Sequence, residues 1–270
     1  MRQQSSLARL LASAAVTAIL AAGLGGCQTM ADVTGSLTSK AEPNPSPDPD
    51  PRRSAEVYGE RYRANPKDVD AALNYGQALR ATGQRAQAVA VLEQATIAHP
   101  SNKALLAGYG RALADNGSFQ QAFDVLNRAH SPANPDWRIL SVQGTALDQL
   151  GRHDEARRYY ASALKISPEE PAVLSNLGLS YVLSKDLPKA EEVLRRAYAS
   201  TRADARVRQN LGLVVGLQGR FAEAETIVKA DLPQEEAAAN VAYLKQMLSR
   251  KDPPRAGAGA MPVASLNRPD

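Results

Sequence analysis

The sequence is poor in the residues that build reactive sites. It holds one cysteine, Cys27, and three histidines in 270 residues. A single cysteine cannot close an intrachain disulfide, and His99, His130 and His153 lie too far apart to form a metal-ligand cluster. Aromatic residues make up only 5%, whereas alanine supplies much of the 44% hydrophobic content. Alanine favours helix, and the scarcity of β-branched and aromatic runs excludes a sandwich or barrel. Neither sign of charge dominates: the net charge is +4, of which Arg2 and Arg9 near the N-terminus carry two. That balance gives no reason to propose nucleic acid as a partner. There is also no Ser/His/Asp order, phosphate loop or metal-ligand spacing. The Glu169-Glu170 pair precedes Pro171 in a turn. We therefore expect no catalytic residue, no metal, no cofactor and no small-molecule substrate: the chain reads as a non-enzyme.

The N-terminus reads as an export signal over residues 1–26. Arg2 and Arg9 precede an uncharged apolar run from Leu10 to Leu24, long for a signal core and short of the roughly 20 residues that span a bilayer. The run ends in Leu24-Gly25-Gly26-Cys27, which resembles the lipobox of bacterial lipoproteins. The resemblance implies that Cys27 becomes the lipidated first residue, and several acyl chains anchor far more firmly than one. Gln28, where an Asp would retain such a protein in the inner membrane, implies an outer-membrane, periplasm-facing location. The alternative is an ordinary cleavable signal with a cysteine nearby.

Residues 27–53 read as a tether. From Pro43 to Pro51 proline alternates with small polar residues, which holds the backbone in polyproline II. At roughly 3 Å per residue these nine residues reach about 27 Å, although a PxxP ligand is a second reading. At the other end, residues 250–270 contain Pro253-Pro254 and Gly257-Ala258-Gly259 and are expected to be disordered.

The middle of the chain repeats every 34 residues. Gly76, Gly110, Gly144, Gly178 and Gly212 stand at that spacing. Seven residues after each come Gly83, Gly117, Gly151, Lys185 and Gly219, and five further on Ala88, Ala122, Ala156, Ala190 and Ala224. A second alanine series, Ala95, Ala129, Ala163 and Ala197, breaks at Asp231, and Pro66, Pro100, Pro135 and Pro168 recur near unit ends. This pattern resembles the tetratricopeptide repeat (TPR), a pair of antiparallel helices. The resemblance implies an all-α solenoid of about five units: 69–102, 103–136, 137–170, 171–204 and 205–238. The first Gly and first Ala are expected where the two helices of a unit approach closest. The second Gly is expected in the turn between them, where a left-handed conformation suits glycine. The turn at Lys185 is expected to close differently, with Pro188 in the first turn of the next helix. Leu79, Leu113, Leu147 and Tyr181 on first helices, and Leu92, Leu126, Tyr160 and Leu194 on second helices, fall at core spacing. Residues 54–65 read as a lone second helix covering the first unit. A helix over 234–249, with Ala237, Val241, Leu244 and Leu248 on one face, reads as the C-terminal cap. The folded region thus spans 54–249.

In tetratricopeptide proteins the first helices line a concave groove that receives a partner's peptide or helix. Carried over to this sequence, its lining comprises Leu73, Gln77, Arg80, Arg111, Asp115, Arg138, Ser141, Asp148 and Gln149 in the first three units. The last two units contribute Ser175, Leu179, Val182, Leu183, Gln209, Leu213 and Leu217. The groove is therefore expected to be polar at one end and apolar at the other. The arginines read as a solvated face, and the polar end lacks the lysine of a carboxylate clamp. Leu213 and Leu217 either receive an amphipathic partner or lie under the chain's own cap or tail. Trp137 reads as a packing anchor. Lipobox, Pro-rich tether and repeats together resemble the TPR lipoproteins of tight-adherence (Flp) pilus systems. That likeness implies a lipid-anchored scaffold working with secretin or inner-membrane assembly subunits. A pilotin-like secretin assembly factor of type IV pili is the first alternative. A general periplasmic adaptor for cell-wall or polysaccharide machinery is the second.

Overall fold

The computed structural model describes residues 50–131 and 133–249. The lipobox with Cys27, residues 27–49 of the tether, and the tail lie outside the described residues. Twelve helices follow one another within the described range: α1 (Pro51–Ala64), α2 (Val69–Ala81), α3 (Arg85–Ala98), α4 (Lys103–Asp115), α5 (Phe119–Ala129) and α6 (Trp137–Gln149), then α7 (His153–Ile166), α8 (Pro171–Leu183), α9 (Leu187–Tyr198), α10 (Ala205–Leu217), α11 (Phe221–Val228) and α12 (Gln234–Ser249). Among the described residues there is no strand, only an isolated bridge between Ser131 and Asn134. The fold is an all-α tetratricopeptide solenoid.

Four of the five first helices start on a side-chain cap, at positions that follow the 34-residue spacing. Asp68 accepts from the amides of Asp70 and Ala71, Asn102 from Leu105, Asp136 from Arg138 and Asp204 from Val207. A short carboxylate or amide at this point satisfies donors that the first helical turn leaves unpaired, worth about 1 kcal/mol each. Glu170 holds the position in the fourth unit and makes no such bond. Pro171 opens that helix instead, with its φ already helical. The same device moves the start of α1: Asp50 accepts from the Arg52 amide and Pro51 begins the helix, so α1 starts three residues before the expected residue 54.

Within each unit the glycine of the first helix faces a large side chain 16 residues later, rather than the alanine alone. A Cβ on Gly76 would lie 2.7 Å from Leu92, one on Gly110 2.5 Å from Leu126, and one on Gly144 2.6 Å from Tyr160. The series continues with Gly178 on Leu194 and Gly212 on Val228, both at 2.5 Å. Glycine here gives up its side-chain volume so that Leu or Tyr can fill the space between helices. Ala88, Ala122, Ala156, Ala190 and Ala224 are buried beside these contacts.

The turn between paired helices closes in the same way in all five units. The residue after the turn donates back across a tight loop: Gln84 N to Leu79 O, Ser118 N to Leu113 O, Arg152 N to Leu147 O and Arg220 N to Val215 O. Asp186 N does the same to Tyr181 O at 2.9 Å. This geometry forces the preceding residue into the left-handed region. Lys185 complies with φ 64°, beside 77° at Gly151. The expectation of a different turn is therefore corrected: the backbone bond dictates the conformation and lysine bears the strain.

Consecutive units stack through the second helix of one against the first helix of the next. First helices also touch one another, whereas the second helices are too far apart for comparable contact. The stack therefore curves with α2, α4, α6, α8 and α10 on its inner side. At the N-terminal end α1 places Gly59 against Tyr75, and Tyr62 stacks near the same ring at 5.7 Å between centroids. At the other end α11 has only 8 residues. The alanine series breaks there at Asp231, which ion-pairs with Arg208. α12 covers the exposed end with buried Ala237 and Leu244, and Val241 packs on the cluster around Leu211, Val214 and Val215.

Two substitutions follow from these contacts. Gly144→Leu drives a side chain into Tyr160 and is expected to cost about 3 kcal/mol, read as a lowered midpoint in urea. Lys185→Gly relieves the left-handed strain and is expected to gain about 0.5–1 kcal/mol in the same assay.

Candidate protein-binding groove

The inner face is joined from helix to helix by side-chain bonds between residues about one repeat apart. Arg80 Nε donates to Asp115 at 2.5 Å, Asn176 Nδ2 to Ser141 Oγ at 3.1 Å, and Asn210 Nδ2 to Ser175 Oγ at 2.8 Å. Ser180 Oγ donates to Asp148 at 2.8 Å. Each bond ties one first helix to the next and holds the spacing of the groove lining. Ser141, Asp148 and Ser175, expected as open groove positions, are buried by these links.

The polar end differs from the solvated face the sequence implied. Gln77 and Gln149 are exposed, but Arg80 and Arg111 retain only 8% and 7% of their surface. The first helices of successive units touch one another, and that approach takes both side chains, guanidinium groups included, out of solvent. Arg80 is compensated by Asp115. Arg111 is not: its Nε and Nη2 are buried without a hydrogen-bond partner. Burial, followed by the positive charge of Arg80, lowers the Arg111 pKa to about 10. Arg138 is half-buried, with its guanidinium 4.7 Å from the centre of the Trp137 ring. Trp137 packs on the cluster of Leu140, Leu147 and Tyr160.

The apolar end is shared between groove and cap. Leu179, Leu183 and Leu213 are half-buried, so each keeps surface for a partner. Val182 is buried, and Leu217 packs on the same cluster as Val241 of α12. A Cβ on Gly216 would lie 2.5 Å from Leu244 of α12. The cap thus engages α10 around Gly216 and leaves the stretch from Leu179 to Leu213 partly open.

Asp148 is the polar hub of the middle unit. Besides Ser180 it accepts from Tyr160 Oη at 2.9 Å, and its other contact is His153 Nδ1 at 2.9 Å. Burial pushes its carboxyl above the ordinary carboxylate range, and the bonds from His153, Ser180 and Tyr160 offset only part of that. His130 contacts Gln143 Oε1, and His99 the Lys67 carbonyl. The three histidines therefore serve separate places, and among the described residues no group of His, Cys, Asp and Glu could hold a metal ion. Glu169 and Glu170 pair with Arg196 and Arg202 respectively.

The sequence reading missed the bonds of Asn176 and Asn210 and the cap series Asp68, Asn102, Asp136 and Asp204. Both carried a legible signal. Asn176 and Asn210 stand 34 apart, as do the four caps once Glu170 is allowed between the last two.

A raised carboxyl pKa means that the folded state keeps its proton to higher pH than the unfolded chain. Stability therefore falls as pH climbs through that window. Asp148→Asn is expected to flatten this part of the stability–pH profile, on the side above the ordinary aspartate pKa. The change is about 1.4 kcal/mol per unit of pKa elevation, measured by urea unfolding across the range.

The tetratricopeptide-repeat profile matches residues 76–136 and 141–205. Comparison with curated proteins gives no match. Among solved structures, the chain resembles PilW, described as a widely conserved type IV pilus biogenesis factor, at 18% identity and a TM-score of 0.62. That match covers 72% of this chain and 91% of PilW. A thermophilic tetratricopeptide protein of Thermus thermophilus aligns at 21% identity and a TM-score of 0.58, over 66% of this chain and 98% of that one. The Cut9–Hcn1 assembly of the APC/C aligns at 16% identity and a TM-score of 0.60 over 74% of this chain. There the chain spans only 40% of the length of its counterpart. At these identities the likenesses establish the fold. Residues 76–136 and 141–205 match the tetratricopeptide repeat, and the described residues form a tetratricopeptide solenoid.

Proposed function

We propose that this chain is a lipid-anchored, non-catalytic scaffold of the bacterial envelope that holds a protein partner during assembly or export of an Flp-type pilus. The observation that carries the proposal is the inner face from Leu179 to Leu213, where half-buried leucines line a groove that the cap leaves partly open. Such a surface suits the apolar side chains of a partner helix or extended segment. Cys27 after Leu24-Gly25-Gly26 supplies the anchor in this reading, and the proline-rich stretch after it the spacer. The partners are secretin or inner-membrane assembly subunits, and the site of action is the periplasmic face of the outer membrane. A second reading, a pilotin-like factor for the secretin of a type IV pilus, draws on the shared fold with PilW. A general adaptor for cell-wall or polysaccharide machinery would use the same groove.

Photo-crosslinking in cells from Leu179 and Leu213 tests the proposal, with membrane fractionation of a Cys27→Ser strain alongside. Capture of a pilus, secretin or inner-membrane assembly subunit, together with loss of the mutant from the outer membrane, is the expected result. Capture of cell-wall or polysaccharide components, or normal processing and membrane retention of the mutant, would refute it.

A further inference from the structure

The solenoid begins and ends on half a unit: among the described residues no helix precedes α1 and none follows α12. The register of α1 is that of a second helix. Val57 stands 34 residues before Val91, Tyr58 before Leu92 and Arg61 before Ala95. In a complete unit these positions are buried, with Leu92 seated on Gly76 of its own first helix. On α1 the same face is open. Val57 keeps 41% of its surface where Val91 and Val125 keep 8% and 9%. Arg61 is exposed and lies 5.7 Å over the half-buried Tyr58 ring.

α12 takes the role of a first helix, at a spacing of 30 rather than 34 because α11 is short. Ala237, Val241 and Leu244, which pack inward, follow Val207, Leu211 and Val214 of α10 at that spacing. On this register Ala242 follows Gly212, the position at which a first helix receives the large side chain of its own second helix. Ala242 is exposed, and Ala238 one turn earlier is half-buried.

We propose that the two half-units complete each other between copies of this chain. α12 of one molecule and α1 of the next form a sixth helix pair, so that the protein associates with itself head to tail. The rule inside the chain sets the register: Tyr58 of one copy lies on Ala242 of the other, as Tyr160 lies on Gly144 within the third unit. Val57 is covered by the same contact. Antiparallel pairing then brings the start of α12, with exposed Glu235 and Glu236, beside the end of α1, with exposed Arg61 and Arg63. These opposite charges favour this orientation over its reverse. Lys245, at the place of Val215, reaches on its long stem toward the rim where Glu56 of the neighbouring copy stands. The methyl group of Ala242 holds the helices further apart than a glycine does, so this pair is looser than those within the chain and comes apart on dilution. Each molecule offers a different face at each end. The contact is therefore heterologous and extends the stack instead of closing a dimer. It lies at the ends of the solenoid and does not rest on what the groove binds.

Sedimentation equilibrium of the full-length chain tests this, in density-matched detergent with micelles in excess over protein. Val57→Arg blocks one end and Ala242→Arg the other, both at exposed positions, and thermal melting verifies the fold of each. The unaltered chain is expected to form a concentration-dependent series of species beyond the dimer. Each variant alone is expected to self-associate at least about tenfold more weakly. An equimolar mixture of the two is expected to give a 1:1 dimer and nothing larger, through the end that each leaves open. An unaltered chain that stays monomeric at its highest soluble concentration would overturn the proposal. So would undiminished association of either variant alone, which marks a symmetric contact, or a mixture that fails to dimerise. If an arginine variant melts early, charge reversal takes its place. Glu235→Arg with Glu236→Arg is expected to abolish association, and adding Arg61→Glu with Arg63→Glu to restore it; loss without recovery counts against the pairing.

Discussion

The structure depends on one close contact repeated five times: a glycine on the first helix of each unit lies under a large side chain from the second. A methyl group at any of these glycines would sit at a distance that no carbon pair tolerates. Because the helices can then lie close together, the flanking alanines are wholly enclosed. The pair also becomes narrow enough to stack on its neighbours. Curvature follows, since the inner helices of successive units touch more closely than the outer ones. The groove is therefore a consequence of glycine placement far below its floor.

That dependence explains which features the sequence made legible. A contact that recurs in every unit writes itself at a fixed spacing, so the helices and their pairing could be read from Gly76, Gly110 and their successors. Features that belong to one unit alone had no such echo. Lys185 looked like a departure because side-chain preference favours glycine there, yet the backbone bond from Asp186 to Tyr181 imposes the left-handed turn regardless. The burial of Arg80 and Arg111 was hidden for another reason. Arginine at a lining position normally reaches water, and only the spacing between three successive inner helices shows that these two do not. The early start of α1 depended on Asp50, whose capping role is invisible inside a run of prolines.

The two ends of the inner face treat polarity in opposite ways. In the first three units charged groups are drawn inward: Arg80 bonds Asp115 and Asp148 sits among Ser180, Tyr160 and His153, while Arg111 has no hydrogen-bond partner at Nε and Nη2. In the last two, leucines stand half-covered and the polar bonds shrink to serine and asparagine. A segment lying along the whole groove would meet hydrogen-bonding demand first and apolar surface second. Such a division fixes direction as well as position, because reversing the segment would place its apolar side chains against guanidinium groups.

The short α11 has a mechanical consequence. A solenoid behaves as a one-dimensional stack in which each unit is held by its own packing and by its neighbours. The fifth unit has the shortest second helix, eight residues, and Val228 where earlier units place leucine or tyrosine. Its main compensation is α12, which sets Leu244 against Gly216 like a latch on the last plate. Unravelling of the stack should therefore start from this end and run inward, with release of Leu244 as its opening event.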